Sequence, residues 1–227
     1  MRRFVVTLGA LKAVCLVAIW FLLRWVAEPD IGVTASAVLI VVPLVLVVPV
    51  SRGGHAMLDA HPDRVVAVTA GVDTILIVLF GLAVVEGVRS TMLRPGWRLP
   101  IPAELGLVLM WFLGPIVALT VANLALRGLG APFAAPISSR LATDWMYRYT
   151  RNPMVLSLLL FLVAVALWLR SAWCVAWAMG LVAPAWFDYP RIFEERELEL
   201  RFGPSYLEDR ARTPMLWPTG SRRPQPE

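Results

Sequence analysis

The chain has 227 residues, of which 59% are hydrophobic and only 16% charged, with a formal net charge of +5. A water-soluble core cannot hide that much apolar surface, so a soluble globular protein is excluded and an integral membrane protein is implied. The positive charge then reads as an orientation and anionic-lipid signal, and nucleic acid is not expected as a partner.

A spanning helix needs about 20 mostly apolar residues to cross about 30 Å of hydrocarbon. Four runs are long enough: Phe4 to Ala27, Ile31 to Val50, Val65 to Val88 and Glu104 to Leu126. The first begins like a signal peptide, but Lys12 interrupts its apolar region early and no small-x-small cleavage site follows, so it is kept as a span. Pro153 to Leu169 and Ser171 to Phe187 are shorter, meet at Arg170, and read as a tight hairpin of two thin spans. The expected fold is all-α: a polytopic membrane bundle of about six spans with a C-terminal helical segment on the cytoplasmic side. Residues 1–127 would carry four spans, 128–218 the hairpin 153–187 and an acidic, aromatic segment, and 219–227 a disordered tail.

Orientation follows from the basic residues, which cytoplasmic loops retain. In a six-span arrangement Arg2, Arg3, Arg52, Arg64, Arg127, Arg140, Arg148, Arg151 and the basic tail from Arg191 share the side of the N-terminus. Arg89, Arg94, Arg98 and Arg170 fall opposite, the loop "RSTMLRPGWRLPIP" being the exception to an otherwise clear bias. Both termini are therefore expected in the cytoplasm, with the chain in the plasma (inner) membrane.

Isolated polar residues point to little chemistry by themselves. Cys15 and Cys174 both lie in apolar runs, which suits buried small hydrophobes better than a disulfide. His55 and His61 sit with Asp59 and Asp63 in the polar stretch "SRGGHAMLDAHPDR", read as a loop, and no metal site is expected there. Lys12 and Asp73 are the ionisable candidates within spans; Lys12 can snorkel, and Asp73 lies about two and a half turns in. Asn123 reads as an interhelical hydrogen-bonding residue.

Two polar stretches flank the hairpin. "YRYTRNPMVL", Tyr147 to Leu156, precedes it, and "DYPRIFEERELELRFGPSYLEDRARTPMLWP" follows it. A chain that crosses from Pro153, turns at Arg170 and returns by Phe187 must bring both stretches to one interface. Pro153 suits the first turn of a helix and Asn152 its cap, which leaves amides and a positive dipole end for an anion. Arg151 can add a bidentate carboxylate grip, and Glu194 and Glu195 offer negative charge to a cation. Together they suit a zwitterion. The plainer alternative makes the arginines lipid-phosphate contacts and the glutamates a solvated helix face, with Glu197 pairing Arg201 at i,i+4.

These residues resemble the isoprenylcysteine carboxyl methyltransferase-like membrane methyltransferases. "TDWMYRYTRNPMVLS" is similar to that family's hairpin-opening segment, and "EERELELRFGPSY" followed by "RARTPMLWP" to its closing one, with Glu194, Glu195, Leu198, Phe202, Gly203 and Tyr206 in place. The resemblance covers residues 128–218. It implies transfer of a methyl group from S-adenosylmethionine to a lipophilic acceptor, an isoprenylcysteine-type carboxylate or a lipid-like molecule. It further implies a cytoplasmic cofactor site of Tyr147, Tyr149, Arg151, Asn152, Pro153, Glu194 and Glu195, with Arg151 and Glu195 as the catalytic pair. Trp145 and Met146 stand where the family has Gly-Pro, Asn152 where His is commoner, Val155 for Tyr and Ser157 for Gly, so the pocket is expected to be altered. Two other classes fit the same residues: a nicotinamide-dependent membrane reductase of related fold, and a non-catalytic protein on a methyltransferase-like scaffold.

Overall fold

The computed structural model describes residues 31–94, 96–126, 141 and 145–216, with the backbone alone described at 121–126 and 145. The expected first span, with Lys12 and Cys15, and the C-terminal tail lie outside these residues, as does the side chain of Asn123. Among the described residues the fold is helical throughout, in keeping with the all-α expectation.

Helices α1 (Val33–Ala60), α2 (Val65–Leu93) and α3 (Ala103–Leu126) follow one another. Each holds a stretch long and apolar enough to cross a membrane. A 3-10 turn at Pro62–Arg64 reverses the chain between α1 and α2, which pack against each other. Pro43, Pro49 and Pro115 sit inside these helices, as spans allow when neighbouring groups re-satisfy the freed carbonyls. Helix α1 continues to Ala60, ten residues beyond the expected end of its span, so His55 and Asp59 stand on its last turns and not in a loop. A helix continues wherever its backbone bonds are satisfied, whatever the polarity outside, and so can outrun its apolar run.

Helix α4 (Pro153–Trp168) is 16 residues long, about 24 Å at 1.5 Å per residue, and packs along α3. The approach is close: a β-carbon on Gly106 would lie 2.5 Å from the Trp168 Cα. Without a hydrophobic drive between helices in lipid, contacts of this kind hold spans together. The opposite side of α3 shows Trp111 and Phe112, 80% and 70% exposed, as a lipid-facing surface would.

The hairpin turn falls where expected. Arg170 adopts φ +55° there, and the awkward basic loop before α3 has a structural part in it. Leu99 N donates to Arg170 O at 2.7 Å, Ala172 N to Trp97 O at 3.0 Å, and Arg170 Nη2 to Leu99 O at 3.3 Å. The loop thus pairs with the turn and satisfies backbone groups that the tight reversal leaves open.

From Ser171, whose hydroxyl caps the next helix through Cys174 N, the chain stays helical to Phe202. This run comprises α5 (Ala172–Trp177), a π segment (Ala178–Val182), α6 (Ala183–Tyr189), a second π segment (Pro190–Glu194) and α7 (Glu195–Phe202). Prolines 184 and 190 lack the N–H that an α ladder needs, and the ladder widens beside them. Ala183 N bonds Ala178 O and Glu195 N bonds Pro190 O, each five residues back. The run touches α1 and α2 along its course and α4 near its start. Phe193 is fully buried against Gly54 of α1 and Val72 of α2, where a β-carbon at position 54 would meet the ring at 2.8 Å.

One charged pair inside a span escaped the sequence reading. Arg89 Nη1 donates to both carboxylate oxygens of Glu86 at 3.1 Å, and both side chains are buried on α2. The i,i+3 spacing was legible, but an arginine near the end of a run reads first as an interfacial anchor. The pairing is what makes burial of either charge tolerable.

Candidate functional site

After α7 the chain reverses at Gly203, φ +52° and ψ −127°, a conformation in which a side chain is strained. Helix α8 (Pro204–Arg212) then runs back beside α7, and its end delivers Thr213, Pro214 and Met215 to the stretch preceding α4. Thr150 Oγ1 and Asn152 Nδ2 donate to Met215 O at 3.0 and 3.3 Å, and Arg151 N donates to Pro214 O at 3.0 Å. The two stretches that flank the hairpin therefore meet, as the crossing geometry requires.

Arg151 is the hub. Its Nε donates to Thr213 O at 3.1 Å and its Nη1 to the Tyr206 hydroxyl at 2.8 Å. The same Nη1 lies 2.9 Å from Glu195 Oε1, and Arg210 Nη2 lies 3.3 Å from Glu195 Oε2. Glu195 thus has both oxygens engaged and acts as a brace between two arginines. Arg151 Nη2 has no partner among the described residues. Asn152 occupies the cap position of α4, but its side chain makes no capping bond and turns to Met215 O. The start of α4 keeps its N-terminal dipole without a side-chain acceptor.

Glu194 differs from its neighbour. It is partly buried and has no hydrogen bond or ion pair among the described residues. Loss of water around the carboxylate pushes its pKa up to about 8, reinforced by the charges of Glu197, Asp73 and Glu195 and opposed by Arg151. Tyr147 is raised too, first by burial and then by the charge of Glu194. Glu197, expected on a solvated face, is instead buried, and it pairs with Arg201. Burial pushes its carboxyl up while Arg201 pulls it down. The i,i+4 pair is present, but α7 turns it toward α1 and α2 instead of toward water.

Of the other expected residues, Pro153 is buried at the first turn of α4, while Tyr149 is 44% exposed with no side-chain contact to the cluster among the described residues. Ser157, in the family's glycine position, is buried with its hydroxyl bonded to Met154 O at 3.1 Å, so it adds no unsatisfied polar group. The sequence reading did not place Tyr206, Arg210 and Thr213 in the site; Tyr206 was visible as a motif residue. Asp73 accepts from the Tyr189 hydroxyl at 2.7 Å, and so belongs to the edge of the acidic cluster.

Residues 103–205 match the family model described as phospholipid methyltransferase. This region is similar to the membrane methyltransferases that the model describes. The match runs from the first residue of α3 through the hairpin to Ser205, and so takes in Arg151, Glu194 and Glu195. No curated protein and no solved structure matches the chain significantly. Apolar helices of spanning length suit an integral membrane protein, and methyl transfer is what the description of the matching family names.

Proposed function

We propose that this protein is an S-adenosylmethionine-dependent methyltransferase acting on a lipophilic acceptor, with its cofactor site and both termini on the cytoplasmic side of the plasma (inner) membrane. The observation that carries the reading is the placement of Arg151, with one guanidinium nitrogen unengaged among the described residues, and Glu194, without an ion pair among them, near the start of α4, which no side chain caps. A carboxylate suits the first and third of these groups and an ammonium the second. The amino-acid end of S-adenosylmethionine carries both.

Bound there, the cofactor would supply an electrophilic methyl group on a sulfonium. Arg151 orients the amino-acid end, held in turn by Tyr206, Thr213 and Glu195, so that little side-chain freedom is lost on binding. Tyr147 and Tyr149 offer aromatic surface that a sulfonium favours, and Asn152 and Pro153 form the seat at the start of α4. The work of the chain is positioning more than proton transfer. Among acceptors, the description of the matching family favours a phospholipid over a prenylated carboxylate.

The test uses full-length protein in vesicles of phosphatidylethanolamine and phosphatidylglycerol with S-adenosylmethionine tritiated on its methyl group. Label in the lipid extract supports the reading. Calorimetry that finds NADPH bound and S-adenosylmethionine not bound would transfer the site to a reductase; binding of neither would leave a scaffold without catalysis.

A further inference from the structure

The site depends on a π segment. Pro190–Glu194 is one residue wider per turn than an α-helix, and Glu194 and Glu195 are its last residue and the next. In an α-helix each residue turns the chain by about 100°. Collapse of the π segment to α geometry would rotate everything after it by about that angle, bringing one glutamate toward the direction its neighbour now takes and carrying the other past it. The segment therefore decides which carboxylate braces Arg151 and which is left for a ligand.

What holds the segment is largely on α1. Arg196 Nε donates to Asp59 Oδ1 at 2.8 Å, an exposed contact that water weakens. His55 does something different: its Nδ1 lies 2.7 Å from the backbone oxygen of Ile192, inside the π segment. A carbonyl oxygen only accepts, so Nδ1 carries the proton and donates. The other ring nitrogen, Nε2, lies 3.4 Å from Oδ2 of Asp59, the carboxylate that also holds Arg196. A widened ladder shifts its backbone bonds by one residue, and the His55 bond ties one carbonyl of the widened segment to α1.

We propose that His55 is a positioning residue for the cofactor site, fixing the register of Pro190–Glu194 through Ile192 O so that Glu194 stays free beside Arg151 while Glu195 braces it. The inference rests on the reading of Arg151 and Glu194 as the cofactor's partners. It gives the polar end of α1 a part in a site that the family match, beginning at residue 103, does not include.

The test compares His55→Leu, which removes the donor, with His55→Asn, whose amide nitrogen can replace Nδ1, in full-length protein in nanodiscs. S-adenosylmethionine binding is read by calorimetry, KM and kcat by methyl transfer to the vesicle lipids above, and the segment 190–202 by hydrogen exchange. Loss of one hydrogen bond predicts that His55→Leu weakens binding and raises KM by about three- to tenfold with little change in kcat, and speeds exchange in this segment. His55→Asn should restore both readouts to within about twofold. Equal losses in both variants would assign the effect to ring packing and overturn the proposal, as would wild-type affinity in His55→Leu. Failure of the wild-type protein to bind S-adenosylmethionine would instead remove the cofactor reading, and the role of His55 with it.

Discussion

Arg151 and Glu195, one before the hairpin and one after it, are bound directly to each other at 2.9 Å. A reading that sets them across a gap, one for each end of a zwitterion, gives Glu195 the work of its neighbour. With Arg210 on its other oxygen, Glu195 is already paired twice, whereas Glu194 has no ion pair among the described residues.

The adjacent glutamates should therefore behave differently when neutralised singly. Glu194→Gln loses a charge-assisted bond to the cofactor's ammonium, about 1.5 to 3 kcal/mol, and should bind S-adenosylmethionine from ten- to more than a hundredfold more weakly at unchanged thermal stability or better. Glu195→Gln should lower the melting temperature, since it releases two arginines, and cost less than about tenfold in affinity. Glu208→Gln, on an exposed pair with Arg212, should change neither by more than about 0.5 kcal/mol. Calorimetry and melting curves on the three variants decide it. Equal affinities for the position 194 and 195 variants would mean that neither residue is the ligand's cation partner.

The pH dependence follows from the same carboxylate. Its pKa stands near 8 in the folded protein, against about 4.3 for an unfolded glutamate. A raised carboxyl contributes stability that is fully present below about pH 4.3 and is lost as pH rises through about 8. Without ligand, this group should make the protein progressively less stable from about pH 4.3 to about pH 8, with little further change above that. A bound ammonium favours the ionised form, so binding at pH 7 should release close to one proton per site and tighten as pH rises toward 8. Calorimetry in buffers of different ionisation enthalpy measures the release. It should vanish in Glu194→Gln, and its persistence there would assign the proton to another group.

How far the sequence reaches is clearest from the hairpin. Its start at Pro153, the turn at Arg170 and the meeting of its flanks follow from run lengths and from the requirement that two crossings return to one face, whereas the helix of the second arm runs past the expected Phe187 to Phe202. Which glutamate faces the ligand does not follow, because the π segment beside Pro190 changes the angular register that an α spacing assumes. Glu197 was misread for a related reason: in a polar helix of charged residues, the buried face is chosen by what packs on it, here α1 and α2. His55 read as a loop residue because the apolar run ends at Val50 while the helix continues to Ala60.

Gly203 tests whether the C-terminal return is needed for the site. Its φ of +52° lets the chain double back so that Tyr206 reaches Arg151. Gly203→Ala has open space for its β-carbon, so its cost is conformational, about 1 to 2 kcal/mol, with a several-fold loss of S-adenosylmethionine affinity as Tyr206 and Thr213 loosen. Gly53→Ala, also in open space but within α1, should be neutral or stabilising by up to about 1 kcal/mol. Matched losses in both would show that affinity follows global stability and not this turn.

Sidedness can be read at two exposed positions that lie at opposite ends of the bundle. Asp63, in the turn between α1 and α2, is 75% exposed at the end where His55 and Asp59 meet the site segment. Trp97, 84% exposed, stands beside the hairpin turn through its bond to Ala172. The proposed orientation puts the first end in the cytoplasm and the second outside. With Cys15 and Cys174 replaced by Ser and Ala, Trp97→Cys should react with a membrane-impermeant maleimide in intact cells. Asp63→Cys should react only after permeabilisation. The reverse pattern would put the cofactor site outside the cell, where S-adenosylmethionine is not supplied, and the methyltransferase reading would lose its substrate.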